Sequence, residues 1–186
     1  DESLSHQNRS PRVPGIVRVA LAVGVALRLA AALYVGQSVE PLPGAFDQLW
    51  YDALAQRVAG GHGFSFAHDA WPMTPAGAPT AHWSYLYTAA LAAVYAVFGH
   101  QPLLARLIQA VLVGILLPLG TWRLARGALG SERIAGIAAL LAAGYAYFVY
   151  YSAVLMTEMA AITAVVWLLD AAVRLADDPA PRRRWV

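Results

Sequence analysis

Four apolar stretches of the sequence are each long enough to cross a lipid bilayer as a helix. A helix rises about 1.5 Å per residue, so about 20 apolar residues span the roughly 30 Å of hydrocarbon. The four stretches are residues 16–35, 103–124, 134–155 and 156–175. Only 13% of the chain is charged, whereas an ordinary soluble domain has about 25% charged residues. The sequence therefore predicts an all-α, multi-pass transmembrane helical bundle rather than a soluble globule.

The basic residues, all of them arginine, predict the topology of this bundle. Ten of the 13 form three clusters: Arg9, Arg12 and Arg18; Arg123, Arg126 and Arg133; Arg174, Arg182, Arg183 and Arg184. Arginine accumulates on the cytoplasmic side of membrane proteins. We therefore expect a cell-membrane protein with a cytoplasmic tail at 1–15, a transmembrane module at 16–175, and a cytoplasmic tail or linker at 176–186. Residues 36–101 become a long extracytoplasmic loop.

A fifth apolar stretch, Tyr85–Phe98, is too short to cross the bilayer. If it did cross, the arginines that follow the next span would move to the outer side, against the positive-inside rule. We therefore expect a helix in the outer interface, with Trp83, Tyr85 and Tyr87 as aromatic anchors.

Charge and cysteine content exclude other classes of function. The net charge is only +2, far too small for nucleic-acid binding. The chain has no cysteine, so disulfides, a thiolate nucleophile and sulfur-ligated zinc are excluded.

Asp47 begins the most informative part of the predicted outer loop. The Pro and Gly residues before it and the Gly60-Gly61 pair after it bracket a helix of about three turns. Asp47 has two interpretations. It is either the N-cap of this helix, or a general base at the membrane surface, where partial desolvation would raise its pKa.

Two further charged residues fall within or beside predicted spans. Glu158 stands at the outer end of the last span, either as a surface charge or as part of a site. Arg28 lies well inside the first span, where an unpaired arginine costs about 2.5–3.5 kcal/mol on insertion scales. We expect Glu158, Asp47 or a ligand phosphate to neutralise Arg28.

The remaining titratable residues give weaker indications. His62, His68 and His82 lack the spacing typical of zinc sites, so we predict no metal site, although a divalent ion stays an open alternative. Asp52 and Asp170 are expected at helix and membrane surfaces.

An ordered series of short motifs resembles a known family. The series begins with Asp47, Tyr51 and Leu54-Ala55, and continues through Gly60-Gly61-His62-Gly63-Phe64, Pro79-Thr80-Ala81-His82-Trp83, Tyr85-Leu86-Tyr87, Phe98-Gly99, Arg106-Leu107-Ile108-Gln109, Leu124-Ala125-Arg126 and Thr157-Glu158. It is similar to the first outer loop and flanking spans of the family 39 type membrane glycosyltransferases. That family has the GT-C fold and includes protein O-mannosyltransferases and the lipid A aminoarabinose transferase.

The resemblance implies an enzyme that transfers a sugar from a polyprenyl-phosphate carrier to a lipid, glycan or protein acceptor on the outer side of the membrane, with inversion. It implies Asp47 and Glu158 as the catalytic acidic residues. It further implies that the chain is the N-terminal portion of a longer transferase.

Sugar transfer from a lipid phosphate requires one base and one cation. The lipid phosphate already leaves as an anion, so the reaction needs a base for the acceptor hydroxyl and a positive charge near the phosphate. Asp47 could supply the base, and Arg28, Arg57, Arg106 or a bound metal the cation. The predicted substrate-binding residues are Tyr51, Arg28, Arg57, His82 and Arg106. The alternative is a non-catalytic membrane protein, such as a transporter component or an assembly scaffold.

Overall fold

The computed structural model describes residues 13–177, which contain seven α-helices and no strand beyond two isolated bridges. The helices are α1 Gly15–Val35, α2 Asp47–Ala59, α3 Tyr85–Phe98, α4 Pro102–Leu129, α5 Glu132–Gly144, α6 Ala146–Ser152 and α7 Glu158–Asp177. The all-α prediction is thus confirmed for this part of the chain. Most of the two predicted tails, with Arg9, Arg12, Arg182, Arg183 and Arg184, lies outside the described residues.

Three of these helices, α1, α4 and α7, are long and apolar enough to cross a membrane, and a fourth span results if α5 and α6 are counted together. Such helices indicate a membrane protein. The predicted span 134–155 is wrong as a single helix, because the chain bends by 51° between α5 and α6. The break lies at Gly144-Tyr145, where Tyr145 takes an extended conformation with ψ 119°. The last predicted span begins at Glu158 rather than at residue 156.

Helices α1 and α4 pack antiparallel, in close contact through glycines. A Cβ at Gly114 would lie 2.8 Å from the Cα of Val25, and one at Gly24 would lie 2.8 Å from the Gly114 carbonyl oxygen. Small residues allow two helix backbones to approach this closely. Val17, near the start of α1, packs in one cluster with Trp122, near the end of α4.

The opposite ends of the same two helices also meet. The side-chain oxygen of Gln37, just after α1, accepts a hydrogen bond of 3.0 Å from the backbone N–H of Leu103 at the start of α4. Residues 36–101 therefore leave and return at one end of the pair, which we call the loop end. A lone crossing by α3 would carry the chain to the other end, so α3 does not cross between α1 and α4.

Helices α2 and α3 form an apolar cluster at the loop end. Their buried side chains pack with the link between α6 and α7; members are Tyr51, Leu54, Ala55, Leu91, Ala92, Tyr95, Val154, Leu155 and Met156. The predicted bounds of α3 and the three turns of α2 are confirmed. The N-cap interpretation of Asp47 is wrong: Phe46 occupies that position, and Asp47 is the first helical residue.

The other end of the bundle, which we call the arginine end, contains a buried ion cluster. Asp170 on α7 is only 3% exposed and lies 3.1 Å from Arg123 Nε and 3.0 Å from Arg174 Nε. The expected surface position of Asp170 is therefore wrong, because two guanidinium groups compensate its burial.

Candidate active site

The structure brings Asp47 and Glu158 to the same end of the bundle. Asp47 is half-buried in the first turn of α2, and Glu158 is the first residue of α7. Tyr51, one turn after Asp47 on α2, is near enough to feel both charges. Burial raises the pKa of the Tyr51 hydroxyl, and the charges of Glu158 and Asp47 raise it further, against a hydrogen bond from the Ser84 backbone N–H that lowers it. The negative charges of both carboxylates therefore disfavour ionisation of the same hydroxyl group.

A turn held by α6 fixes the approach of the chain to Asp47. At Gly44 the backbone has a φ of 69°, in the left-handed region that favours glycine. A Cβ at Gly44 would lie 3.2 Å from the hydroxyl oxygen of Tyr151. That hydroxyl donates to the Gly44 carbonyl, and the Tyr150 hydroxyl donates to the Pro43 carbonyl. The start of α2 is thereby anchored to α6.

Glu158 has one atom free for a ligand. Its Oε2 is buried and has no hydrogen-bond partner within residues 13–177. Leaving a buried carboxylate oxygen unmatched is costly. A ligand hydroxyl or cation would satisfy it, so the atom is a candidate contact point.

Arg106 on α4 contacts the first turn of α2, and its nearest charged and phenolic neighbours are Asp52, Tyr95 and Tyr87. It is fully buried and donates to the Gly36 carbonyl and to the side-chain oxygen of Gln48, the neighbour of Asp47, at 3.2 Å. Its Nε has no partner among the described residues. The site thus contains one buried guanidinium with an unused donor.

Sequence reasoning treated Tyr87 only as a membrane anchor, whereas its hydroxyl is part of this cluster. Burial raises the pKa of Tyr87 well above its usual value, neighbouring Tyr51 and Glu158 raise it further, and Arg106 lowers it. The hydroxyl donates to Gln109 Oε1 at 2.8 Å. Gln109, a polar residue inside an apolar span, was the available signal.

An apolar groove begins beside Tyr87 and Gln109. It has a volume of about 470 Å³ and lies between α3, α4 and α7. Its walls include Leu91 and Val94 of α3, Leu112 and Leu116 of α4, and Trp167 of α7. A groove of this composition can hold a hydrocarbon chain whose polar end lies near Tyr87 and Gln109.

Arg28 does not join the cluster, and its expected pairing with Glu158 or Asp47 is wrong. It is fully buried and donates to the carbonyls of Ala143 at 2.8 Å and Ala142 at 3.1 Å, and to Ser152 Oγ at 3.1 Å. The two carbonyls belong to the last turn of α5, where the backbone carbonyl oxygens have no N–H donor from the helix itself. A cation there also complements the helix dipole. Arg28 therefore stabilises the α5–α6 break.

Two other predicted substrate ligands also lie elsewhere. Arg57 is in the last turn of α2, ten residues or about 15 Å along the helix from Asp47, and donates to the Ser65 carbonyl at 3.2 Å. His82 is exposed and packs edge-on against Trp71 and Trp83. Neither residue contacts the Asp47–Glu158 cluster.

Asp52 is buried rather than at a helix surface as expected. Its carboxylate accepts hydrogen bonds from the Tyr95 hydroxyl and from Gln56, and lies 2.9 Å from His100 Nε2. It therefore links α2 to α3 and to the turn before α4.

Comparison with family models, curated proteins and solved structures finds no match. No group of three histidine or acidic side chains within residues 13–177 is arranged to hold a metal ion.

Proposed function

We propose that the chain is part of a GT-C type glycosyltransferase that takes a sugar from a polyprenyl-phosphate carrier at the extracytoplasmic face of the membrane. The observation that carries the proposal is that Asp47 and Glu158 lie at the same end of the bundle, near enough for both charges to act on the Tyr51 hydroxyl, next to an apolar groove. A lipid-linked substrate needs this combination, because its tail must stay in an apolar environment while its head group reacts among polar side chains.

In this proposal Asp47 is the general base. It accepts the proton of the acceptor hydroxyl while that oxygen attacks the anomeric carbon. The bond from the anomeric carbon to the phosphate oxygen breaks, and polyprenyl phosphate leaves as an anion with inversion of configuration. Asp47 is half-buried, so its carboxylate stays accessible to an acceptor hydroxyl.

Arg106 and Glu158 have separate tasks. Arg106, whose Nε has no hydrogen-bond partner within residues 13–177, is the cationic donor for the departing phosphate. The Oε2 of Glu158, which also has no partner in the described part of the chain, orients a sugar or acceptor hydroxyl. The groove between α3, α4 and α7 holds the first part of the polyprenyl chain.

The broken α5–α6 pair favours the alternative of a transporter component, because discontinuous helices form ion sites in transporters. Such sites use the free carbonyls at the break. Here Arg28 already binds the carbonyls of Ala142 and Ala143, which weighs against ion binding at this point.

The test is the substitution Asp47→Asn, assayed with a fluorescent polyprenyl-phosphate sugar in proteoliposomes. General-base catalysis contributes about 10²–10⁴-fold, so we expect the transfer rate to fall by roughly 100-fold or more with unchanged thermal stability. The matched control is Glu40→Gln, which removes an exposed carboxylate from the same loop-end segment. Wild-type rates in the Asp47→Asn protein would remove Asp47 from the mechanism.

A further inference from the structure

A second pocket lies on the solvent-exposed side of α2, away from the apolar groove. Its volume is about 380 Å³, within the range of about 300–1,000 Å³ typical of small-molecule sites. One wall is α2 and the other is the segment 62–69; the main lining side chains are Trp50, Arg57, His62, Phe66, His68 and Asp69. The Asp47–Glu158 cluster does not use any of these six.

The aromatic wall of this pocket is rigid. Trp50 packs edge-on against Phe66, with ring centroids 5.6 Å apart, and lies 6.3 Å from the ring of Trp83. Phe66 and Trp83 are both almost completely buried. Trp50 is therefore held in place before any ligand binds, and its indole supplies a preformed apolar surface.

The polar rim carries both donors and acceptors with balanced charge. Arg57 and Asp69 contribute one positive and one negative group. Arg57 already donates to the carbonyl and hydroxyl oxygens of Ser65, so fewer of its N–H donors remain for a phosphate. His62 and His68 are exposed and add ring nitrogens. Such a rim favours a neutral ligand rich in hydroxyl groups over an anion.

We propose that this pocket binds a neutral sugar ring of the acceptor, so that the acceptor of the transferase is a glycan. That the bound sugar is the acceptor rests on the proposed transferase function. A sugar ring has an apolar C–H face that packs on an indole and hydroxyls that bond to a polar rim. Trp50 is one turn from Asp47 on the same helix, so a bound glycan extends toward the base.

The test is saturation-transfer NMR on the full chain in nanodiscs, using the methyl glycosides of mannose, glucose, galactose and N-acetylglucosamine, with glucose 6-phosphate as a charged comparison. At least one neutral glycoside should bind more tightly than the phosphate. Trp50→Leu should weaken binding about tenfold. The double variant His68→Ala/Asp69→Asn, at two exposed positions, should weaken it roughly three- to tenfold. Asn at 69 keeps the oxygen that accepts from the Ala76 N–H.

Glu40→Gln, outside the pocket, should leave glycoside binding unchanged. Binding by none of the four glycosides, equal binding by the double variant, or tighter binding of the phosphate would each overturn the inference. Transfer that depends on Asp47 but not on the pocket residues would reject the pocket and keep the proposed function. Glycoside binding that needs the pocket, in a protein without transfer activity, would support the sugar site and reject the transferase.

Discussion

Replacing Arg28 distinguishes a structural arginine from a substrate ligand. In Arg28→Met an unbranched apolar side chain replaces the arginine stem and offers no hydrogen-bond donor. The carbonyls of Ala142 and Ala143, which now bind the guanidinium, lose their partners inside the bundle. An unsatisfied buried polar group costs about 1–3 kcal/mol, and the buried charge is removed at the same time, so we expect a net loss of about 3 kcal/mol.

The loss should appear as a lower unfolding temperature. For a chain of 150–250 residues, 1 kcal/mol shifts Tm by about 2–4 °C, so the expected decrease is about 6–12 °C. Thermal unfolding in detergent, followed by circular dichroism, measures it. Hydrogen exchange should also increase around residues 142–152, since the α5–α6 break depends on this contact. The Tm of Arg28→Lys should lie between those of Arg28→Met and the wild type, because an ammonium group lacks the planar array of donors of a guanidinium.

The control is Arg18→Met, which removes an exposed arginine from the same helix and should change Tm little. An Arg28→Met protein as stable as the wild type would refute the reasoning. If that protein had also lost binding of polyprenyl phosphate, Arg28 would be a substrate ligand.

The remaining predictions concern helix packing and pH. Gly114→Ala places a methyl group against the Val25 backbone and should destabilise the protein by roughly 1–3 kcal/mol. The control is Gly144→Ala, because the space around its Cβ position is open. Equal denaturation midpoints for the two variants would contradict the close α1–α4 contact. Burial, and then its hydrogen bond to Asp52, raise the pKa of Tyr95 above the usual value of about 10. Above pH 10 the folded protein therefore keeps a proton on Tyr95 that the unfolded chain loses. The contribution of Tyr95 to the free energy of unfolding should be fully present below pH 10 and decline as the pH rises above it. Tyr95→Phe should make this decline shallower in unfolding measurements from pH 8 to 11; an identical slope would contradict the assignment.

The sequence by itself determined most of the helices and their approximate ends, but not the break between α5 and α6. Runs of apolar residues and the positions of Gly and Pro are local signals, which is why α2 and α3 were predicted closely. Counting crossings from the arginine clusters also predicted that Asp47 and Glu158 lie on one side.

Only the tertiary structure decided which polar groups meet. Arg28 is 115 residues from Ala143 in sequence, and Asp52 is 43 residues from Tyr95. Nothing local distinguishes a buried arginine that binds backbone carbonyls from one that binds a phosphate. The partner of a buried charge depends on where a helix breaks and which face packs against it, and those are properties of the assembled bundle.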